Sequence, residues 1–89
     1  GFGFSKTLEQ NYQALNCIST LHCMGYETLV GVSRKSMIYK VLHCTPQEAL
    51  NGTTVLHTLA VQQKADWLRV HDVKEAVEVV RILETIKNI

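Results

Sequence analysis

The sequence predicts an α/β fold in which parallel strands are joined by crossover helices, and three observations predict it. Two apolar runs of strand length, at about residues 28–32 and 67–71, are separated and flanked by stretches with helical spacing, in the order helix, strand, helix, strand, helix. Helix-opening signals stand at Thr7, Thr45 and Asp72. Both strands also run out into basic residues at their C-terminal ends, Arg34 and Lys35 after the first and Arg69 and His71 at the close of the second.

Residues 1–6, Gly-Phe-Gly-Phe-Ser-Lys, read as a loop that would follow a strand absent from this chain. Thr7 with Gln10 three positions on is a capping-box pattern, and Leu8, Tyr12, Leu15, Ile18 and His22 follow at spacings of three and four. One amphipathic helix is expected over about residues 8 to 24, with Gly25 as its stop. In the first strand Val30 and Val32 share one face and Leu29 and Gly31 the other. Both faces are apolar, so burial on both sides is expected, ending at Ser33.

Met37 to Leu42 is a short helix by its spacing, closing near Cys44. Thr45-Pro46-Gln47-Glu48 restarts the helical path, with Thr45 as cap, Pro46 in the first position and Glu48 three after the cap. Gly52 is expected to mark a junction before a longer helix from about Thr53 to Lys64, whose apolar face is Val55, Leu56, Leu59 and Ala60. After the second strand, Asp72 and Glu75 repeat the capping pattern, and Val73, Val77, Val80, Leu83 and Ile86 form the stripe of a last helix.

Composition narrows the function classes. Eighty-nine residues, 46% of them hydrophobic, suit one small domain or a piece of a larger one. No run approaches a membrane span, and no basic segment followed by an apolar core suggests a signal peptide. The chain begins without methionine, which is expected if it is processed or part of a longer polypeptide. A net charge of +1 argues against nucleic-acid binding by bulk electrostatics, so any basic function is local. Cys17, Cys23 and Cys44 match neither a disulfide framework nor a zinc pair, and are expected to be reduced core thiols in a cytoplasmic protein. Adding His22 and His43 does not make a metal site, because Cys17, His22 and Cys23 fall on different faces of one predicted helix.

In folds of this kind ligands sit beyond the carboxyl ends of the strands. The three such ends carry Phe2, Phe4, Lys6, Arg34, Lys35, Ser36, Arg69 and His71, a rim of cations and aromatics. Arg69 and His71 alternate with Leu68 and Val70 and so share a face. An arginine fork suits phosphate oxygens, histidine can donate to a phosphate leaving group, and Lys35 is a point charge on a flexible stem. Each has a plainer reading: Arg69 as the partner of a core carboxylate, His71 as a cap for the next helix, and Arg34 as a solvated neighbour of Lys35.

Residues 1–6, Gly31-Val32-Ser33-Arg34-Lys35-Ser36 and Arg69-Val70-His71-Asp72-Val73 resemble three consecutive motifs of dihydropteroate synthase, in order and at suitable separations. The resemblance implies a TIM (β/α)8 barrel of which residues 1–89 are the C-terminal portion, from the loop after strand six through helix eight. It implies folate synthesis: a transferase condensing p-aminobenzoate with 6-hydroxymethyl-7,8-dihydropterin pyrophosphate. By this resemblance Lys35 would hydrogen-bond the pterin, and Phe4, Lys35 and Ser36 would border the p-aminobenzoate and sulfonamide site. Arg69 would contact pterin and pyrophosphate, and His71 the pyrophosphate, with Lys35, Arg69 and His71 as the catalytic set. Magnesium would be the cofactor, with its ligands outside this chain, as is the aspartate that precedes the glycine-rich loop in the family. The implied partners are the two substrates, without nucleic acid or membrane, in a homodimer or covered by further residues of the same polypeptide. The piece alone is expected to be inactive. The competing expectation is a non-enzymatic α/β module that binds a phosphorylated ligand or serves in assembly.

Overall fold

A computed structural model describes residues 7–89; the loop expected before them, with its site residue Phe4, lies outside the described residues. Thr7 opens the first helix as predicted, its hydroxyl accepting from the Gln10 N–H at 3.1 Å while Gln10 Oε1 accepts from the Thr7 N–H at 2.9 Å. The expected single helix is two, α1 (Leu8–Asn16) and α2 (Ile18–Cys23), because the Cys17 N–H turns back to the Ala14 carbonyl and tightens the turn. Then come β1 (Leu29–Val30), α3 (Ser36–Leu42), a 3-10 turn (Pro46–Glu48), α4 (Leu50–Gln62), β2 (Trp67–Leu68) and α5 (Val73–Lys87).

The strands pair in parallel, Leu29 opposite Trp67 and Val30 opposite Leu68. They are shorter than expected, although an Arg69 N–H bond to the Val30 carbonyl at 2.9 Å carries the ladder one step further. The core lies on one side of this sheet, where Val30 and Val32 meet Leu15, Ile18, Met37, Ile38, Ala49, Leu56 and Ala60. The other side is open. Leu29 is 64% exposed and Trp67 63%, so the expected two-sided burial is corrected: the helices gather on one face, and Leu29 and Trp67 stay uncovered on the second. Burial also continues through Ser33, which is 4% exposed.

The crossover departs from expectation in three places. Gly52 is no junction but lies inside α4, where an added Cβ would overlap Ile38 Cγ2 and stand 3.0 Å from Leu42 Cδ1. Its missing side chain is what lets α4 approach α3. The buried face of α4 is Thr53, Leu56, His57 and Ala60, while Val55 and Leu59 are exposed. The helix ends at Gln62 because Lys64 takes a left-handed conformation with φ 70, and the Ala65 N–H returns to the Ala60 carbonyl at 3.0 Å.

On α5 the packed residues are Ala76 and Val79. The predicted stripe Val73, Val77, Val80, Leu83 and Ile86 lines an open groove of about 870 Å³ between α5, β2 and the end of α4. The periodicity identified an apolar face but not the neighbour it meets. Cys17 and Cys23 are on the surface and Cys44 is half-buried, all three free, which corrects the expectation of core thiols. Among the described residues no helix is long and apolar enough to cross a membrane.

Candidate functional site

The two strands end side by side, and a tight turn shapes the first end. The Lys35 N–H donates to the Val32 carbonyl at 3.1 Å, which puts Arg34 third in a four-residue turn with φ 52. That is a position ordinarily given to glycine or asparagine. The Arg34 N–H donates to Thr53 Oγ1 at 3.0 Å, and the Thr53 hydroxyl donates to the Ala49 carbonyl at 2.7 Å. A buried threonine of α4 thus anchors the turn. Lys35 emerges from it as the N-cap of α3, with Ser36 as the first helical residue, half-buried.

Lys35 does not point into bulk water. Its Nζ lies 3.6 Å from the point where a Cβ on Gly31 would sit, and Arg69 Cβ lies 3.7 Å from the same point. The predicted basic pair, one residue from each strand end, therefore meets over Gly31, Lys35 by its ammonium and Arg69 by its Cβ. Partial burial, and then the Arg69 charge, lower the Lys35 ammonium's pKa below the ordinary lysine value. Arg69 and His71 are both exposed, and among the described residues the Arg69 side chain is in no ion pair, so its plainer reading as a core partner is not what the structure shows.

Arg34 is not a solvated neighbour, and that expectation is corrected. Its Nε donates to Asp72 Oδ2 at 2.9 Å and its Nη2 to Asp72 Oδ1 at 3.0 Å, a bidentate pair. Nη1 donates to the carbonyls of Pro46 at 3.0 Å and Gln47 at 2.9 Å. The hydrogen bond to Asp72 raises the Arg34 pKa and lowers that of Asp72. Asp72 holds the N-cap position of α5 as predicted, but its side chain makes no cap hydrogen bond, because both carboxylate oxygens face the guanidinium. His71, the residue before it, is fixed through its backbone, its N–H donating to Ser33 Oγ at 3.2 Å.

Sequence reasoning missed Ser33, Thr53 and the carbonyls of Pro46 and Gln47 as parts of this rim. The signal for Thr53 was its place on one helical face with Leu56, His57 and Ala60. Magnesium does not fit the described residues: no group of three or more His, Cys, Asp or Glu could hold a metal ion, and Asp72 is engaged by Arg34. What the site offers is the Lys35 ammonium over a glycine, the Arg69 charge close enough to act on it and an imidazole at the next rim position, which suits an anionic ligand beyond the strand ends.

Comparison with known proteins agrees with this geometry. The chain is 45% identical over 84 residues to the dihydropteroate synthase of Escherichia coli (strain K12), an alignment covering 94% of this chain and 30% of that protein. It is 34% identical over 88 residues to the dihydropteroate synthase of Bacillus subtilis (strain 168), covering 99% of this chain and 31% of that one. The dihydropteroate synthase of Yersinia pestis, solved with a pterine-sulfa conjugate, superposes with a TM-score of 0.92 at 44% identity, over 99% of this chain and 35% of that structure. The chain therefore spans about a third of the length of the proteins it matches, and its α/β layers are a section of their TIM barrel. The model of the pterin binding enzyme family matches residues 1–71. That match takes in both strand ends and the cations that converge there, and the chain belongs to the pterin binding enzyme family.

Proposed function

We propose that this chain is the C-terminal portion, loop six through helix eight, of a dihydropteroate synthase that joins p-aminobenzoate to 6-hydroxymethyl-7,8-dihydropterin pyrophosphate. The observation that carries the reading is the convergence of Lys35 and Arg69 over Gly31 at the ends of two parallel strands. Lys35 donates to the pterin and, with Ser36 and Phe4, borders the p-aminobenzoate site. Arg69 reaches both the pterin and the pyrophosphate, and His71 donates to the pyrophosphate. As the bond from the pterin methylene carbon to the bridging oxygen breaks, negative charge grows on the leaving pyrophosphate, and fixed donors stabilise that charge most. The aryl amine then forms the new carbon–nitrogen bond and releases one proton.

Magnesium, when bound, supplies charge neutralisation at the pyrophosphate, and its ligands come from elsewhere in the polypeptide. The exposed faces of Leu29 and Trp67 and the groove along α5 have the character of surfaces that the rest of a barrel covers, or in part a second subunit. The free thiols suit a cytoplasmic enzyme.

The test is condensation activity in a full-length polypeptide that carries this chain. Lys35→Ala should remove turnover and weaken pterin binding together, and the 89 residues alone should not turn over. Undiminished turnover in Lys35→Ala would refute the reading.

A further inference from the structure

The rim carries a second arginine that the reaction above does not use. From its geometry we infer that Arg34 is a positioning residue, the clasp that holds the Lys35 turn and the His71 turn at a set separation. Because it deepens the proposed synthase site, the inference rests on that reading for its substrates, but not for its geometry.

Three segments distant in sequence meet at one guanidinium. The turn after β1 carries Arg34 itself, the 3-10 turn presents the Pro46 and Gln47 carbonyls, and the start of α5 presents Asp72. Four of the five guanidinium N–H groups are directed at these protein acceptors, so the fork faces the scaffold and has little left for a ligand. The backbone is committed as well. Arg34 is held at φ 52, where glycine would sit without strain, and its N–H is bound to Thr53. The strain of that conformation is offset by the bonds that the Arg34 side chain makes.

What the clasp places is the ligand-facing pair on either side of it. Lys35 follows Arg34 directly, and His71 precedes Asp72 directly. Two further bonds tie the strand ends, the Arg69 N–H to the Val30 carbonyl and the His71 N–H to the Ser33 hydroxyl oxygen, and in both the donor is backbone. The Arg34–Asp72 pair joins them through side chains on both sides, and the same guanidinium also fixes the loop between α3 and α4. A lysine there would keep the charge and lose the fork.

The experiment uses the full-length polypeptide, with inorganic pyrophosphate as the binding probe and condensation as the second readout. The variants are Arg34→Gly, which suits the turn, Arg34→Lys, Asp72→Asn and the pair Arg34→Gly with Asp72→Asn. Misplacing a catalytic group by about 1 Å can cost a hundredfold. Arg34→Gly, Arg34→Lys and Asp72→Asn should each lose about tenfold in pyrophosphate affinity and in kcat, within that bound, and the double variant should be no worse than either single. The KM for p-aminobenzoate at saturating pterin substrate should change less than the pyrophosphate affinity, because the released His71 turn serves the pyrophosphate alone, and a general loss of structure would not give that split. Wild-type pyrophosphate affinity in Arg34→Gly would overturn the clasp, as would full function in Arg34→Lys or additive losses in the double variant. A wild type that binds pyrophosphate without condensing the substrates would instead sink the synthase reading and leave the pyrophosphate titrations to decide the clasp.

Discussion

Gly52→Ala sets two known effects against each other, and the structure says which wins. In a solvent-facing helix the change stabilises by about 1 kcal/mol, because alanine loses less backbone freedom than glycine. Gly52 is inside α4, so that gain applies. Against it stands Ile38 Cγ2, which the new methyl would overlap, and Leu42 Cδ1 at 3.0 Å. Leu42 is 53% exposed and can turn away. Ile38 is 2% exposed and branched at Cβ, so in a helix it has one favoured rotamer and cannot withdraw one methyl without driving another into the core.

Overpacking of this kind costs about 1–3 kcal/mol, and the stiff partner puts the cost in the upper half of that range. The net expectation is destabilisation by about 1–2 kcal/mol, read as a lower urea midpoint at unchanged slope. Ile38→Leu moves the branch away from Cβ and should recover part of the loss in the Gly52→Ala background, a coupling of about 1 kcal/mol in a double-mutant cycle. Displaced, α3 would also carry Lys35 and Ser36 with it, so the KM for the pterin substrate should rise. A gain of about 1 kcal/mol for Gly52→Ala alone would refute the packing argument and leave helix propensity in charge.

Two further outcomes are expected. His57 is buried with Nε2 unpaired, and burial lowers its pKa below the ordinary 6.5, outweighing the attraction of Asp72. Below about pH 6.5 the unfolded chain takes up a proton that the folded one resists, so stability should fall as pH drops from there toward the depressed folded value. In His57→Leu the urea midpoint should vary less between pH 7.5 and pH 5.5, and an unchanged difference would remove His57 from the account. Lys64 closes α4 in the left-handed region, so Lys64→Gly should stabilise by about 0.5–1 kcal/mol, the relief of strain less glycine's greater freedom when unfolded. A loss measured by the same denaturation would show that the Lys64 side chain contributes more than its backbone costs.

How far the sequence could be read depended on how far apart the interacting groups lie. The caps at Thr7 and Thr45 were legible because both partners sit within three residues, and in the second the Glu48 carboxylate accepts from the Thr45 N–H and hydroxyl, each at 3.0 Å. The same pattern at Asp72 misled, since Arg34, 38 residues away, outbids the local N–H groups for the carboxylate. The alternation of apolar runs with helical spacing identified parallel strands and placed Lys35, Arg69 and His71 at their ends. Periodicity could not say which apolar residues find a neighbour. Val73 and Val77 match the helical stripe as well as Ala76 and Val79 do, yet only the latter pair is packed. Gly52 was read as punctuation because glycine ends helices more often than it admits a neighbouring one, and only the approach of Ile38 distinguishes the two uses.

The meeting of Lys35 and Arg69 over Gly31 puts the partly buried Lys35 ammonium within reach of a like charge. Repulsion of that kind opposes the approach of the two strand ends. A multivalent anion settling between the two strands would turn it into attraction, so occupancy and rigidity of this rim are coupled. A bound anion would then tighten the rim and act for a time as part of the protein's own electrostatics.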